Sequence, residues 1–299
     1  MNNQMVYWYK KYTPRFIQKF LKKIEPEKIS YWKLDRISKK NIDFSGHGET
    51  QAVKQYLKND SLDFNYFVDI GASDGVSSSS TLEFAKMPNW HGLSIEYDDS
   101  KFSKLQYVYR KYKNISLANK KVTPDSIVDI LHDYEVPKNF SFLNIDIDSY
   151  DLEVSKSLFQ LGYRPDIVSI EINEKIPPPI YFNVKYDQEH FWQGDHFFGC
   201  SLTAAVEEFS KFDYLLAEFR LNNAIFVNLI KFPELTPKNA SIAYEEGYKS
   251  IKNRKELFKY NHDVEILHEL NNDEKIVFIN NLFKKYKNMY ELKIGDQNE

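Results

Sequence analysis

Asp69-Ile-Gly71-Ala72-Ser-Asp-Gly75 follows directly on an apolar run, Tyr66-Phe67-Val68, and its two glycines stand four residues apart. Glycine adopts left-handed backbone freely and puts no Cβ between the main chain and a ligand. Gly71 therefore suits a tight turn off a strand, and Gly75 a close approach of a ligand to the backbone. Glu96 ends a second apolar run, about 20 residues on, where an acid can hydrogen-bond a ribose diol. The set reads as a nucleotide-binding βαβ unit. Dinucleotide sites carry Gly-x-Gly-x-x-Gly, whereas this loop is Gly-x-x-x-Gly, so a different nucleotide ligand is expected. Asn119, after the next strand, is a candidate to face an adenine.

A second group is acidic. One strand ends Asp146-Ile-Asp148-Ser-Tyr-Asp151, and the next ends Glu171-Ile-Asn173-Glu174. Side chains alternate along a strand, so Asp146 and Asp148 are expected on one face, with Glu171 and Asn173 alike on the neighbour. Carboxylates crowded in this way repel unless a cation or a shared proton intervenes. Three readings are open. Asp146, Asp148, Glu171 and Asn173 hold Mg²⁺, Asp146 is the general base for a hydroxyl, or the group binds loop amides. Oxygen ligands with a single cysteine in the chain, Cys200, favour Mg²⁺ over zinc. A third group, His190 and His196 beside Asp195 and Trp192, offers imidazole bases that titrate near neutrality.

The pattern of the chain says what positions these groups. Strands are expected at Tyr66–Ile70, Gly92–Glu96, Ile115–Ala118, Phe140–Ile147 and Ile167–Ile172. Helices are expected between them: Ser77–Lys86 with Ser77 as cap, Ser100–Tyr112, Thr123–His132 opened by Thr-Pro, and Leu152–Leu161. That alternation implies a parallel sheet covered on both faces. Residues 173–199 read as a long irregular loop rich in aromatics, among them Tyr181, Phe182, Tyr186, Phe191 and Trp192, and are expected to form a substrate pocket. Ser201–Phe209 reads as a helix, and Tyr214–Phe219 with Ala224–Leu229 as an antiparallel hairpin at the sheet edge. Three segments follow: a basic, aromatic leader over 1–45, an α/β domain over 46–231, and a helical extension over 232–299.

The glycine loop resembles motif I of class I S-adenosylmethionine (SAM) methyltransferases. With it, Asp146-Ile-Asp-Ser-Tyr-Asp151, Ile170-Glu171-Ile-Asn173, Val184-Lys-Tyr186-Asp187, Phe198-Gly199-Cys-Ser201 and Asn223-Ala224-Ile-Phe226 occur in order. The ordered set is similar to SAM-dependent methyltransferases of the FkbM type over about residues 45–230. The resemblance implies a class I, Rossmann-like fold, SAM as methyl donor, and an O-methyl product on a sugar, glycan or small natural product. It assigns SAM to Asp69, Gly71, Ala72, Gly75 and Glu96. RNA methylation, or a SAM fold that binds without turnover, is the alternative.

Composition narrows the rest. A net charge of −3 gives no global basic field for an obligate nucleic-acid partner. One cysteine leaves no internal disulfide and fits a reducing cytoplasm. No apolar run approaches the ~18 residues of a membrane-spanning helix. The leader carries Lys10, Lys11, Arg15, Lys19, Lys22 and Lys23 around Phe16 and Phe20. It is expected to pack on the main domain, with peripheral contact of residues 1–24 at an anionic membrane as the other reading.

Overall fold

The computed structural model describes residues 26–57 and 65–295. The leader expected over 1–45 lies outside them up to residue 25, with the packing or membrane contact expected of residues 1–24. The described part begins with α1 (Pro26–Ser38) and α2 (Glu49–Tyr56). The sheet is then laid down by β1 (Tyr66–Ile70), β2 (His91–Ile95), β3 (Ile115–Ala118), β4 (Phe142–Ile145) and β5 (Ile167–Glu171). The helices between them are α3 (Leu82–Ala85), α4 (Asp99–Tyr109), α5 (Ile127–Asp133) and α6 (Asp151–Gln160). After β6 (Ile180–Val184) and α7 (Leu202–Ser210) come the hairpin strands β7 (Tyr214–Arg220) and β8 (Asn223–Asn228).

The main sheet has seven strands in the order β3-β2-β1-β4-β5-β8-β7. β1 to β5 pair in parallel, β8 is antiparallel to β5, and β7 is antiparallel to β8. β8 alone therefore runs against the rest. Strands buried on both faces need apolar side chains on both. In β1, Val68 and Ile70 enter one core while Phe67 enters the other. Burying such side chains contributes about 1.5–3 kcal/mol each.

Three local expectations need correction. The helix expected over Ser77–Lys86 shrinks to Leu82–Ala85. Asp74 takes the amides of Val76 and Ser77, and Ser78 is left-handed at φ 54°, so the chain cannot start a helix there. The helix expected from Thr123 begins only at Ile127, because Thr123 and Ser126 bond to each other in a closed turn. The long loop after β5 is not irregular throughout. It contains β6, which pairs antiparallel with β9 (Tyr290–Ile294) at the far end of the chain.

That pairing ties the C-terminal extension to the domain. The extension holds α8 (Ala240–Tyr244), α9 (Arg254–Leu257) and α10 (Asn272–Leu282), the last opened by a capping box of Asn271 and Glu274. Phe182 of β6 is fully buried among Phe197, Phe283 and Tyr290. Tyr181 is buried on the other side of β6, against α7 residues of the main core. Both aromatics are therefore core residues rather than pocket walls, and Tyr186 packs edge-on against Tyr150.

Candidate active site at the carboxyl ends of the strands

A cavity of about 570 Å³ opens at the carboxyl ends of β1, β2 and β4. Ligands of open α/β sheets bind at this edge. The cavity wall includes Asp69, Gly71, Ala72 and Glu96 on one side and Asp146 and Asp148 on the other.

The glycine loop is built by close approach. Gly71 has φ 90°, and a Cβ there would stand 1.8 Å from the Asp146 carbonyl oxygen. The loop after β1 and the loop after β4 are thus pressed together, with only glycine fitting between them. The amides of Gly71 and Ala72 both donate to Ile95 O at 3.0 Å. Gly75 is different from its expectation. It does not line the cavity; a Cβ there would meet Leu105 Cδ1 at 2.6 Å, so its bareness lets α4 pack.

Asp69 is buried, and both its oxygens are used. Thr81 Oγ1 donates at 2.6 Å and Asn144 Nδ2 at 2.9 Å. Burial, with the nearby Glu96 charge, still raises its pKa above the ordinary range. Glu96 is buried at the end of β2 and accepts from the Ser73 amide at 2.8 Å and the Asp98 amide at 2.7 Å. Each carboxylate oxygen keeps a second lone pair for a ligand hydroxyl. Tyr97, 63% exposed, stands beside it on the wall. Asn119 is exposed and does not line the cavity; its neighbours Lys120, Lys121 and Val122 do.

The acidic group comes together without Asn173. Asp146, Asp148 and Glu171 each present an oxygen within 4.8 Å of the others. Strand pleat is not the cause. β4 ends at Ile145, and Asp148 is left-handed at φ 53°. The loop is pinned instead by buried Asp151, whose two oxygens accept from the amides of Ile147 at 2.8 Å and Ser149 at 3.0 Å. Burial pushes the Asp151 pKa up to about 6. In the sequence Asp151 stands out only as part of a motif; its place in the first helical turn after a strand end is the signal for this role.

Asn173 is a clamp. Its Nδ2 donates to the carbonyls of His196 and Phe198, both at 2.9 Å, and it is fully buried. Glu171 accepts from Asn222 Nδ2 at 2.9 Å through Oε1, while its buried Oε2 meets no N–H or hydroxyl donor, and the carboxyl can share a proton with Asp146 and Asp148. Burial, then the charges of Asp146 and Asp148, hold the Glu171 pKa well above the carboxylate range. Asp146 is raised well above it too, by burial and then by Asp148, Asp151 and Asp69. Asp146 is at the same time the accessible member of the trio. Its exposure is to the cavity, so surrounding protein still dominates its charge environment.

Of the histidines, His190 lines the cavity with Phe191 and Trp192, and His196 does not. His190 is 7% exposed, edge-on to Phe197 and Tyr286, with Nε2 unpartnered. Burial lowers its pKa, so the ring is neutral at pH 7. His196 Nε2 lies 3.1 Å from Asp263 of the C-terminal extension, outside the cavity.

No family model and no curated protein matches the chain. Among solved structures, it is similar to the N-terminal domain of EvdMO1 in the presence of SAH and D-fucose, at 10% identity and TM-score 0.41, over 69% of this chain and 97% of that one. A SAM dependent methyltransferase from Aquifex aeolicus aligns at 12% identity and TM-score 0.38, over 69% of this chain and 100% of that one. The METTL16 MTase domain aligns at 20% identity and TM-score 0.33, over 42% of this chain, which spans 50% of that domain. At these scores the likenesses add nothing to the strand order. The strand order itself, with one antiparallel strand inserted next to last, is the class I methyltransferase fold.

Proposed function

We propose that the chain is a SAM-dependent methyltransferase of FkbM-like type that methylates a hydroxyl of a sugar, glycan or small natural product. One observation carries the reading. A single cavity is walled by the glycine loop and Glu96 at one side and by Asp146 and Asp148 at the other. Glu96 and the backbone of Gly71 to Ser73 suit the ribose and the amino-acid part of a donor. The carboxylates then face the acceptor. Much of the catalysis in such a site is positioning, since effective molarities reach about 10⁵ M or more.

An acceptor hydroxyl has to lose its proton as the oxygen attacks the methyl carbon. Asp146 is the accessible carboxylate beside the donor loop, and its raised pKa makes it a stronger base than an ordinary Asp. His190, neutral and on the same wall, is the second base. The trio of Asp146, Asp148 and Glu171, whose oxygens lie within 4.8 Å of one another, also fits a hard divalent cation such as Mg²⁺ in place of a shared proton. Bound there, the cation would act as a Lewis acid for a hydroxyl oxygen. Phe191 and Trp192 offer apolar faces to a sugar ring.

Calorimetry tests the donor. S-adenosylhomocysteine should bind the purified chain and NAD should not; tighter binding of NAD sinks the assignment. Turnover in EDTA then separates the two ways of activating the hydroxyl. Loss of activity that Mg²⁺ restores, with SAM affinity unchanged, selects the cation; full activity selects the side-chain base.

A further inference from the structure

Among the described side chains, from residue 30 on, one side of α1 with the segment after it carries cations and no exposed acid. Trp32, Lys33, Arg36, Lys39 and Lys40 are exposed along it, and Ile42 follows, 50% exposed. Asp35 faces inward and is shared by Lys39 at 2.7 Å, Arg110 at 3.3 Å and Lys111 at 3.4 Å. Where this segment crosses the end of α4, Lys39, Lys40, Lys86 and Lys111 line a shallow recess of about 380 Å³ with Ser38 and Tyr112. Lys86 donates to Lys40 O at 3.0 Å and sits 4.1 Å from the centre of the Phe44 ring. Lys111 donates to Ser38 Oγ at 3.0 Å. Glu83, the acid near Lys86, is taken by Lys54. The recess thus gathers ammonium groups with too little negative charge among the described residues to balance them.

We propose that this recess and the outer face of α1 dock the protein on an anionic membrane surface, with a lipid phosphate entering the recess. Charge complementarity gives the sign of the partner. Trp32 and Ile42 give its nature, because an exposed indole and an aliphatic side chain among cations suit the headgroup boundary of a bilayer. A single-stranded nucleic acid asks instead for a track of stacking aromatics, and the recess is one seat rather than a track. The chain that leads into α1 is of the same character, with Lys19, Lys22 and Lys23 beside Phe16 and Phe20. Lys86 precedes β2 and Lys111 precedes β3, so the recess is at the amino ends of these strands. The cavity is at their carboxyl ends, and docking leaves its mouth open.

The test is co-sedimentation of the full chain with vesicles of phosphatidylglycerol and phosphatidylcholine, against phosphatidylcholine alone, with thermal melting as the control for folding. The expected result is binding to the anionic vesicles only, lost at high salt. The double variant Lys39→Glu, Lys40→Glu should lower partitioning about tenfold or more, and Lys86→Gln about threefold. Equal binding to neutral vesicles, no binding at low salt, or unchanged partitioning in both variants overturns the proposal. Preference for a single-stranded RNA oligomer in competition with the anionic vesicles also overturns it and assigns the face to nucleic acid.

Discussion

Like charges crowd at both ends of the one sheet, carboxylates at the carboxyl ends of β4 and β5 and ammonium groups at the amino ends of β2 and β3, but the two crowds are built differently. Asp146, Asp148 and Glu171 sit on short side chains fixed by buried partners: Asp151 under the loop, Asn222 on Glu171, and Gly71 against the Asp146 carbonyl. Lys39, Lys40, Lys86 and Lys111 reach their recess on long stems at the surface. Carboxylates on a loop and a strand end pinned in this way cannot move apart, so repulsion stays in the folded state as raised pKa values. A lysine can withdraw into solvent, and water screens what remains. The acidic end is therefore held at one point, and the basic end suits a partner that tolerates loose geometry.

The sharpest break of this comparison is Asp146→Asn. The amide keeps the shape of the side chain and removes the base. The expected loss is about 10² or more in kcat, with S-adenosylhomocysteine affinity changed by less than about threefold. His196→Ala is the control on the other side, since its ring is outside the cavity and on Asp263. It should keep kcat within about threefold. Steady-state kinetics on both variants with single-turnover checks decides it. A dead His196→Ala beside an active Asp146→Asn would reverse the assignment of the base.

The glycine-loop side of the cavity was legible in the sequence because it is local. Asp69, Gly71 and Glu96 are read from runs of a few residues, and the turn chemistry needs nothing from elsewhere. The acidic half was legible only as a neighbourhood. Glu171 and Asn173 share a strand end and a spacing, yet one faces Asp146 and the other clamps the carbonyls of His196 and Phe198. Nothing between them in sequence announces that split; it depends on a loop that returns some 25 residues later, at Phe198. The pairing of β6 with β9 was illegible for the same reason, since each strand is short and its partner is about a hundred residues away. It turned Tyr181 and Phe182 from expected pocket walls into core. Gly75 misled in a simpler way. A bare residue serves a ligand or a neighbouring side chain equally well, and here the neighbour is Leu105.

A smaller effect tests whether the acidic crowd carries its repulsion into stability. Burial and the charges of Asp146 and Asp148 raise the Glu171 pKa. A carboxyl with a raised folded pKa holds its proton more tightly folded than unfolded. Its contribution is full below the unfolded value, about 4, and is lost as pH rises through the folded value. Asp151, pushed up to about 6, contributes the same fall between about 4 and 6. Glu171→Gln removes one charge while its amide oxygen keeps the Asn222 bond. In EDTA at pH 8 the variant should melt about 2 °C or more above the wild type, and at pH 4 the two should coincide. Adding Mg²⁺ at pH 8 should stabilise the wild type more than the variant. A variant less stable than the wild type at pH 8 would show that Glu171 is already compensated in the folded chain.

The smallest effect belongs to the basic end, and its smallness is the point. Burial, and the charges of Lys111 and Lys54, lower the Lys86 pKa, and burial lowers that of Lys111. An ammonium with a depressed folded pKa contributes stability that is full above its unfolded value and is lost as pH falls through the folded one. At pH 7 the repulsion is thus present. Lys86→Gln removes one charge and keeps a donor for the Lys40 carbonyl and methylenes on the Phe44 ring. The gain in stability should be less than about 0.5 kcal/mol, because these partly exposed charges are screened. Added monovalent salt should shrink it further, whereas the gain from Glu171→Gln, at a buried carboxylate that such salt screens less, should change less. Melting of the two variants side by side at low and high salt measures that contrast. If the Lys86→Gln gain is large and insensitive to salt, the recess is as rigid as the acid cluster and the two ends of the sheet do not differ in kind.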